Sequence, residues 1–135
     1  MICQEFSLTV VPWKVKVFYH YSREFLNEVI VSLYNIGCRD EDLDALVSFL
    51  DGGNLNVGCT YSNSKSRSSI IVIGKTTDAS EFNNTYDHEK GHLAMHISQT
   101  EEIDPFSEKF QYLTGEIGQQ MFSAAKLFLC DHCRR

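Results

Sequence analysis

His88, Glu89 and His92 spell H-E-x-x-H, and His96 repeats the four-residue step, so one short segment carries three of the chain's five histidines. On an α-helix, residues four apart share a face about 6 Å from one another, and two such imidazoles can reach one metal ion at about 2.0–2.1 Å. Glu89 follows the first histidine by about 100° of helix rotation, where a carboxylate can meet a metal-bound water without taking a ligand position. Zinc lowers the pKa of such a water towards about 7, and a glutamate can then accept its proton as the water attacks a carbonyl. The segment therefore predicts a hydrolytic site with one zinc per chain, held by His88 and His92, and with Glu89 as general base. A straight helix rarely brings three successive i, i+4 residues to one ion. His96 is expected instead to orient a ligand, contact substrate or pack.

A catalytic zinc takes three protein ligands and leaves a fourth position for water, so one more ligand must come from elsewhere. The histidines belong to a helix expected from Thr77 to Ser98, with Thr77 or Asp78 as N-cap and Phe82, Tyr86, Leu93 and Ile97 on its apolar face. Asp104-Pro105 reads as an N-cap followed by proline at the first helical position. A returning helix should run from there to about Leu129, with Phe106, Phe110, Leu113, Ile117, Met121, Ala124 and Phe128 inward. It would pass the first helix antiparallel, at the metal. Glu108 and Glu116 are its candidate ligands, and about 12 Å of axial separation prevents one zinc from using both. Matching depth falls near position 111, which leaves the two open with a slight preference for Glu108. Tyr112, one turn beyond Glu108, and His96 are candidates to stabilise an oxyanion.

The segment His88-Glu89-x-Gly91-His92-x-x-x-His96, followed by Ser107-Glu108-x-x-x-Tyr112-Leu113-x-Gly115, resembles the small gluzincin metallopeptidases. These include the ImmA/IrrE-like proteases and short zincins of phages and mobile elements. The resemblance covers Ser69 to Phe128 and implies zinc held by the two motif histidines and a glutamate of the next helix, which it assigns to Glu108, with Glu89 as general base. The chain lacks the Glu-x-Glu-Ala-Asn segment and the helix-turn-helix of the repressor-cleaving members.

The remaining elements must support such a site. Phe6–Trp13 and Lys14–His20 read as one or two strands broken near Pro12, with Val15, Val17 and Tyr19 alternating against Lys14, Lys16 and Phe18. Ser22 is a candidate N-cap for a helix to Ile36, with Phe25, Val29, Leu33 and Tyr34 on one stripe and Gly37 closing it. An acidic helix is expected over Asp40–Leu50, with Leu43, Leu46, Val47 and Leu50 inward. Asn54–Ile73 should be a hairpin turning at Ser62–Arg67. Ser69–Gly74 is its buried strand, and either Gly58–Tyr61 or Ile70–Ile73 should offer an edge on which a peptide substrate can add as a further strand. The fold class is α+β: a minimal zincin-like domain, a small twisted, mostly antiparallel sheet packed on helices, spanning 1–135 as one unit.

Composition agrees. With 135 residues, 43% of them hydrophobic, the chain can bury a core without crosslinks. No linker, repeat, bilayer-length apolar run or signal peptide is apparent, so a cytoplasmic protein is expected. Five cysteines make an odd set for a secreted disulfide framework and suit a reducing compartment. Cys130-Asp131-His132-Cys133 has C-x-x-C spacing that can grip metal or act as a redox pair, but without a second C-x-x-C it is read as a frayed, reduced tail. A net charge of −6 argues against binding a nucleic-acid backbone. Lys65-Ser66-Arg67 and Arg134-Arg135 are read as solvated turn and tail residues. Two function classes remain: a zinc peptidase, favoured by Glu89, and a zinc-stabilised binding or regulatory protein of phage or mobile-element origin, favoured by the short chain without a lid. Hydrolysis of non-peptide amides is a third possibility.

Overall fold

A computed structural model describes residues 1–134. Strands β1 (Ile2–Leu8), β2 (Trp13–Tyr21), β3 (Gly58–Asn63) and β4 (Ser68–Gly74) form a four-stranded sheet in the order β1-β2-β4-β3. The β1–β2 and β3–β4 pairs are antiparallel hairpins, and β2 and β4 pair in parallel at the centre. Helices α1 (Leu26–Asn35), after a short 3-10 turn, and α2 (Asp40–Asp51) cover one face; α3 (Ala79–Glu101) and α4 (Glu108–Ala125) cover the other. This is a small α+β domain.

Alternation along the central strands builds two cores. Val15, Val17 and Tyr19 of β2 and Ile71 and Ile73 of β4 face α3 and α4, where Phe82, Leu93, Ile97, Leu113, Ile117 and Met121 meet them. Phe18, Ile70 and Val72 face Val29 and Leu33 of α1 and Leu50 of α2. Because β4 is buried along its whole length, its run lacks polar alternation, as expected of a strand covered on both faces. That position also settles the choice of edge. Ile70–Ile73 pairs on both sides and cannot accept a further strand, whereas Gly58–Tyr61 lies in the edge strand β3.

Several boundaries differ from the sequence expectation for local reasons. Asp104 does not cap α4: its carboxylate accepts from the Phe106 N–H at 2.9 Å, closing a separate turn, and Ser107 is the N-cap, accepting from the Phe110 N–H at 3.2 Å. Phe106 consequently stands outside the helix and is 96% exposed instead of facing inward. Tyr34, expected on the buried stripe of α1, is exposed as well. The α4 helix stops at Ala125, and Phe128 folds back to stack on Tyr19, His20 and Phe82 with ring centres 6.0, 5.8 and 5.1 Å apart.

The C-terminal tail is not frayed. Asp131 accepts from the Ala79 N–H at 2.7 Å, and the Arg134 guanidinium donates to the Thr76 hydroxyl at 2.9 Å, so the tail is clamped to the start of α3. Arg134 is thus engaged and not a solvated cation; Arg135 lies outside the described residues. No helix of the described residues is long and apolar enough to cross a membrane.

Glu116 joins α4 to the β1–β2 turn. Its carboxylate accepts from the Thr9 N–H at 2.7 Å, the Thr9 hydroxyl at 2.8 Å and the Val10 N–H at 2.8 Å. Burial pushes its pKa up, but the hydrogen bonds from Val10 and Thr9 outweigh this and hold it below the 4.5 of an ordinary glutamate. A depressed folded-state pKa means stability present above the unfolded value and lost as pH falls through the folded one. Glu116→Ala should therefore cost about 1.5–3 kcal/mol at neutral pH. In urea denaturation series, the gap from wild type should narrow below pH 4.5.

Candidate metal centre

The α3 helix starts where the side chain of Asp78 accepts from the Glu81 N–H at 2.8 Å and ends where Glu102 turns left-handed, with φ of 54°. Phe82, Thr85, Tyr86, Glu89, Leu93 and Ile97 are its buried residues against the sheet, at the three- and four-residue steps a helix face requires. The helix lies over β4 and the edge strand β3. Period-two alternation in β3 puts Gly58, Thr60 and Ser62 on the side facing α3, and Cys59 and Tyr61 towards α1 and α2.

Those three small residues set the height of the helix above the strand. A Cβ at Gly58 would come within 2.7 Å of the Val72 carbonyl oxygen and 3.0 Å of the Glu89 Cγ. Thr60 donates its hydroxyl to Glu89 Oε1 at 2.9 Å, and Ser62 Oγ lies 2.8 Å from His96 Nδ1. Behind Ser62 the polar contacts continue to Ser69 Oγ at 2.6 Å and from there to the indole Nε1 of Trp13 at 2.8 Å. Sequence reasoning gave Thr60, Ser62, Ser69 and Trp13 no role at the site beyond membership of strands and turns. The available signal was the alternation of small polar with larger residues in Gly58-Cys59-Thr60-Tyr61-Ser62.

The motif histidines stand on the flank of α3 away from α4. His88 and His92 are exposed, and their Nε2 atoms are 3.0 Å apart with the rings nearly perpendicular at 81°. Two ligands at about 2.05 Å on a tetrahedral ion are separated by about 3.3 Å, so a few tenths of an ångström of adjustment would let both nitrogens bind one zinc. The donor chemistry and spacing of this pair fit the ion. His96 continues the row with its ring centre 6.1 Å from that of His92, and burial followed by the neighbouring His92 lowers its pKa.

Glu89 is 4% exposed. Thr60 holds its Oε1, while Oε2 has no hydrogen-bond partner among the described residues and is not sealed from solvent. The nearby Cys59 thiol is pushed up to about 12 by burial and by Glu89, which makes it a poor nucleophile.

The candidates on α4 are not brought to the pair. Asp87, Lys90 and Gly91 share a crevice with Thr114 and Ile117 of α4, on the other flank of α3. Glu116 is committed to Thr9 and Val10, and Glu108 is exposed at the first position of α4. Tyr112 is 69% exposed on the outer face of that helix. Among the described residues, no three His, Cys, Asp or Glu side chains converge as a metal-binding group. Cys130 and Cys133 are free thiols beside the start of α3.

No protein-family model matches the chain, and neither the curated proteins nor the solved structures contain a match.

Glycine substitutions test the packing that positions the site. Gly58→Ala should destabilise the domain by about 1–3 kcal/mol, because backbone and Glu89 crowd the new methyl group. Gly91→Ala meets nothing within 4 Å and should stabilise α3 by about 0.5–1 kcal/mol. Equal effects of both in a thermal-shift or denaturant measurement would contradict this packing.

Proposed function

We propose that the chain is a zinc-dependent peptidase of gluzincin-like type, taking an extended peptide along the free edge of β3. The observation that carries this reading is the convergence of the His88 and His92 Nε2 atoms at 3.0 Å on an exposed helix face. These two side chains would hold the ion, one per chain. Zinc in such a site supplies a polarised carbonyl and a water of lowered pKa. The chain's own part is proton handling and substrate placement. Glu89, with Oε1 tied to Thr60, keeps Oε2 as the oxygen that takes the water's proton and passes it to the leaving nitrogen. The unpaired side of β3 gives an incoming peptide main-chain partners. Of the two oxyanion candidates, His96 shares the histidine row, whereas Tyr112 faces outward from α4. Glu108, whose carboxylate has no hydrogen-bond or ion-pair partner among the described residues, is the proposed third ligand over Glu116, which is committed to Thr9 and Val10, and would have to be delivered by a rearrangement of the start of α4.

A second reading, a zinc-stabilised binding or regulatory protein, is favoured by the bond between Thr60 and Glu89, which would serve equally well as a strut between helix and strand. The same groove would then hold a partner segment without cleaving it.

Zinc binding comes first. His88→Ala and His92→Ala should each abolish stoichiometric zinc binding in competition with a chromogenic chelator, because a single imidazole of the pair then remains. Full occupancy in both variants would move the metal elsewhere, with Cys130 and Cys133 the next place to look.

Turnover separates the two readings. Glu89→Gln should keep zinc content while lowering cleavage of a peptide library, read by mass spectrometry, by about 10²–10⁴-fold. Absence of cleavage by zinc-loaded wild type, with a peptide retained on it, would instead establish the binding protein.

A further inference from the structure

The polar chain behind His96 has a direction. An indole N–H can only donate, so Trp13 Nε1 must give its proton to Ser69 Oγ at 2.8 Å. Ser69 is 1% exposed, and the acceptor within reach of its own hydroxyl is Ser62 Oγ at 2.6 Å. Ser62 therefore accepts from Ser69, and its hydrogen points to its other partner, His96 Nδ1, at 2.8 Å. If His96 Nδ1 carried a proton, Ser62 would accept twice and the hydrogen of its half-buried hydroxyl would have no acceptor among the described residues, so the chain would forgo one of its hydrogen bonds. The four residues come from β2, β4, β3 and α3, so sheet and helix packing enforce the order.

We propose that this chain of hydrogen bonds fixes the imidazole of His96 with its proton on Nε2, making His96 a hydrogen-bond donor to a carbonyl of a peptide lying along β3, and not a third metal ligand. A ring nitrogen that carries a proton has no lone pair for a metal, whereas the Nε2 atoms of His88 and His92 are partnered with each other at 3.0 Å and would turn both lone pairs towards one ion once the proton between them is given up. Ser62 couples this orientation to the edge strand, since it pairs with Ser69 in the β3–β4 register and touches His96 with its side chain. The tautomer stands on the hydrogen-bond chain alone; the peptide carbonyl as its acceptor rests on the peptidase reading above.

Long-range proton–nitrogen NMR correlation on the full chain, free of metal, distinguishes protonated from unprotonated ring nitrogens. For His96 it should show Nε2 protonated and Nδ1 bare, and Ser69→Ala should give a mixture of the two tautomers. A proton on Nδ1 in the wild type would overturn the proposal without recourse to any variant. On addition of zinc chloride, His88 and His92 should respond while His96 keeps its Nε2 proton. Loss of that proton, with zinc on His96, would overturn the proposal and leave the metal reading intact. Silence of all three histidines would overturn the metal reading and leave the tautomer standing. With a cleaved peptide in hand, His96→Phe should retain zinc and lower turnover by about 10²–10³-fold. Unchanged turnover would remove the donor role.

Discussion

The close approach of α3 to the edge strand is the constraint on which the rest of the molecule depends. It requires a strand face with almost no side-chain height, and Gly58, Thr60 and Ser62 provide one. A carboxylate buried as deeply as Glu89 would be costly without a partner, and Thr60 provides that partner from the same face. The same three residues thus admit the helix, satisfy its buried acid and hold its last histidine.

That packing divides α3 into unlike flanks. On one flank α4 runs alongside, across a crevice lined by Lys90, Gly91, Thr114 and Ile117, and Lys90 lies 3.8 Å above the Tyr86 ring with an ion pair to Asp87 at 3.1 Å. The other flank carries His88, His92 and His96 past the free edge of β3. The position of α4 is set by contacts remote from the histidines: Glu116 on the β1–β2 turn, and Gln4, which donates to the Gln120 carbonyl at 2.7 Å and accepts from the Tyr19 hydroxyl at 2.7 Å. These bonds draw α4 across β1, away from the edge where the histidines stand. An open pair of imidazoles beside an unpaired strand is the result, and both functional readings start from it.

Much of the fold was legible because its signals are local. The hydrophobic periods of α2 and α3, the polar turn between β3 and β4 and the all-apolar run of β4 each report a residue's own surroundings. Phe106 shows where this fails. It continues the three- and four-residue pattern of α4, but Asp104 accepts from the N–H two residues on and closes a turn, whereas Ser107 accepts from the N–H three residues on and so caps the helix. The docked tail was illegible for a similar reason, since its partners, Thr76 and Ala79, lie more than fifty residues away in sequence.

The sequence by itself determined that His88 and His92 share a helix face with Glu89 one step round from them, because helical geometry acts over four residues and needs nothing else. It also determined an α+β domain, through alternating runs and capped amphipathic segments. Only the tertiary structure decided which strand is the edge, which flank of α3 is open and which carboxylate lies where. It placed Glu116 on Thr9, left Glu108 apart from the histidines, and joined His96 to Trp13 through two serines from different strands. Such pairings join residues far apart along the chain, and they are set by the register and height at which sheet and helices pack, which no local pattern encodes.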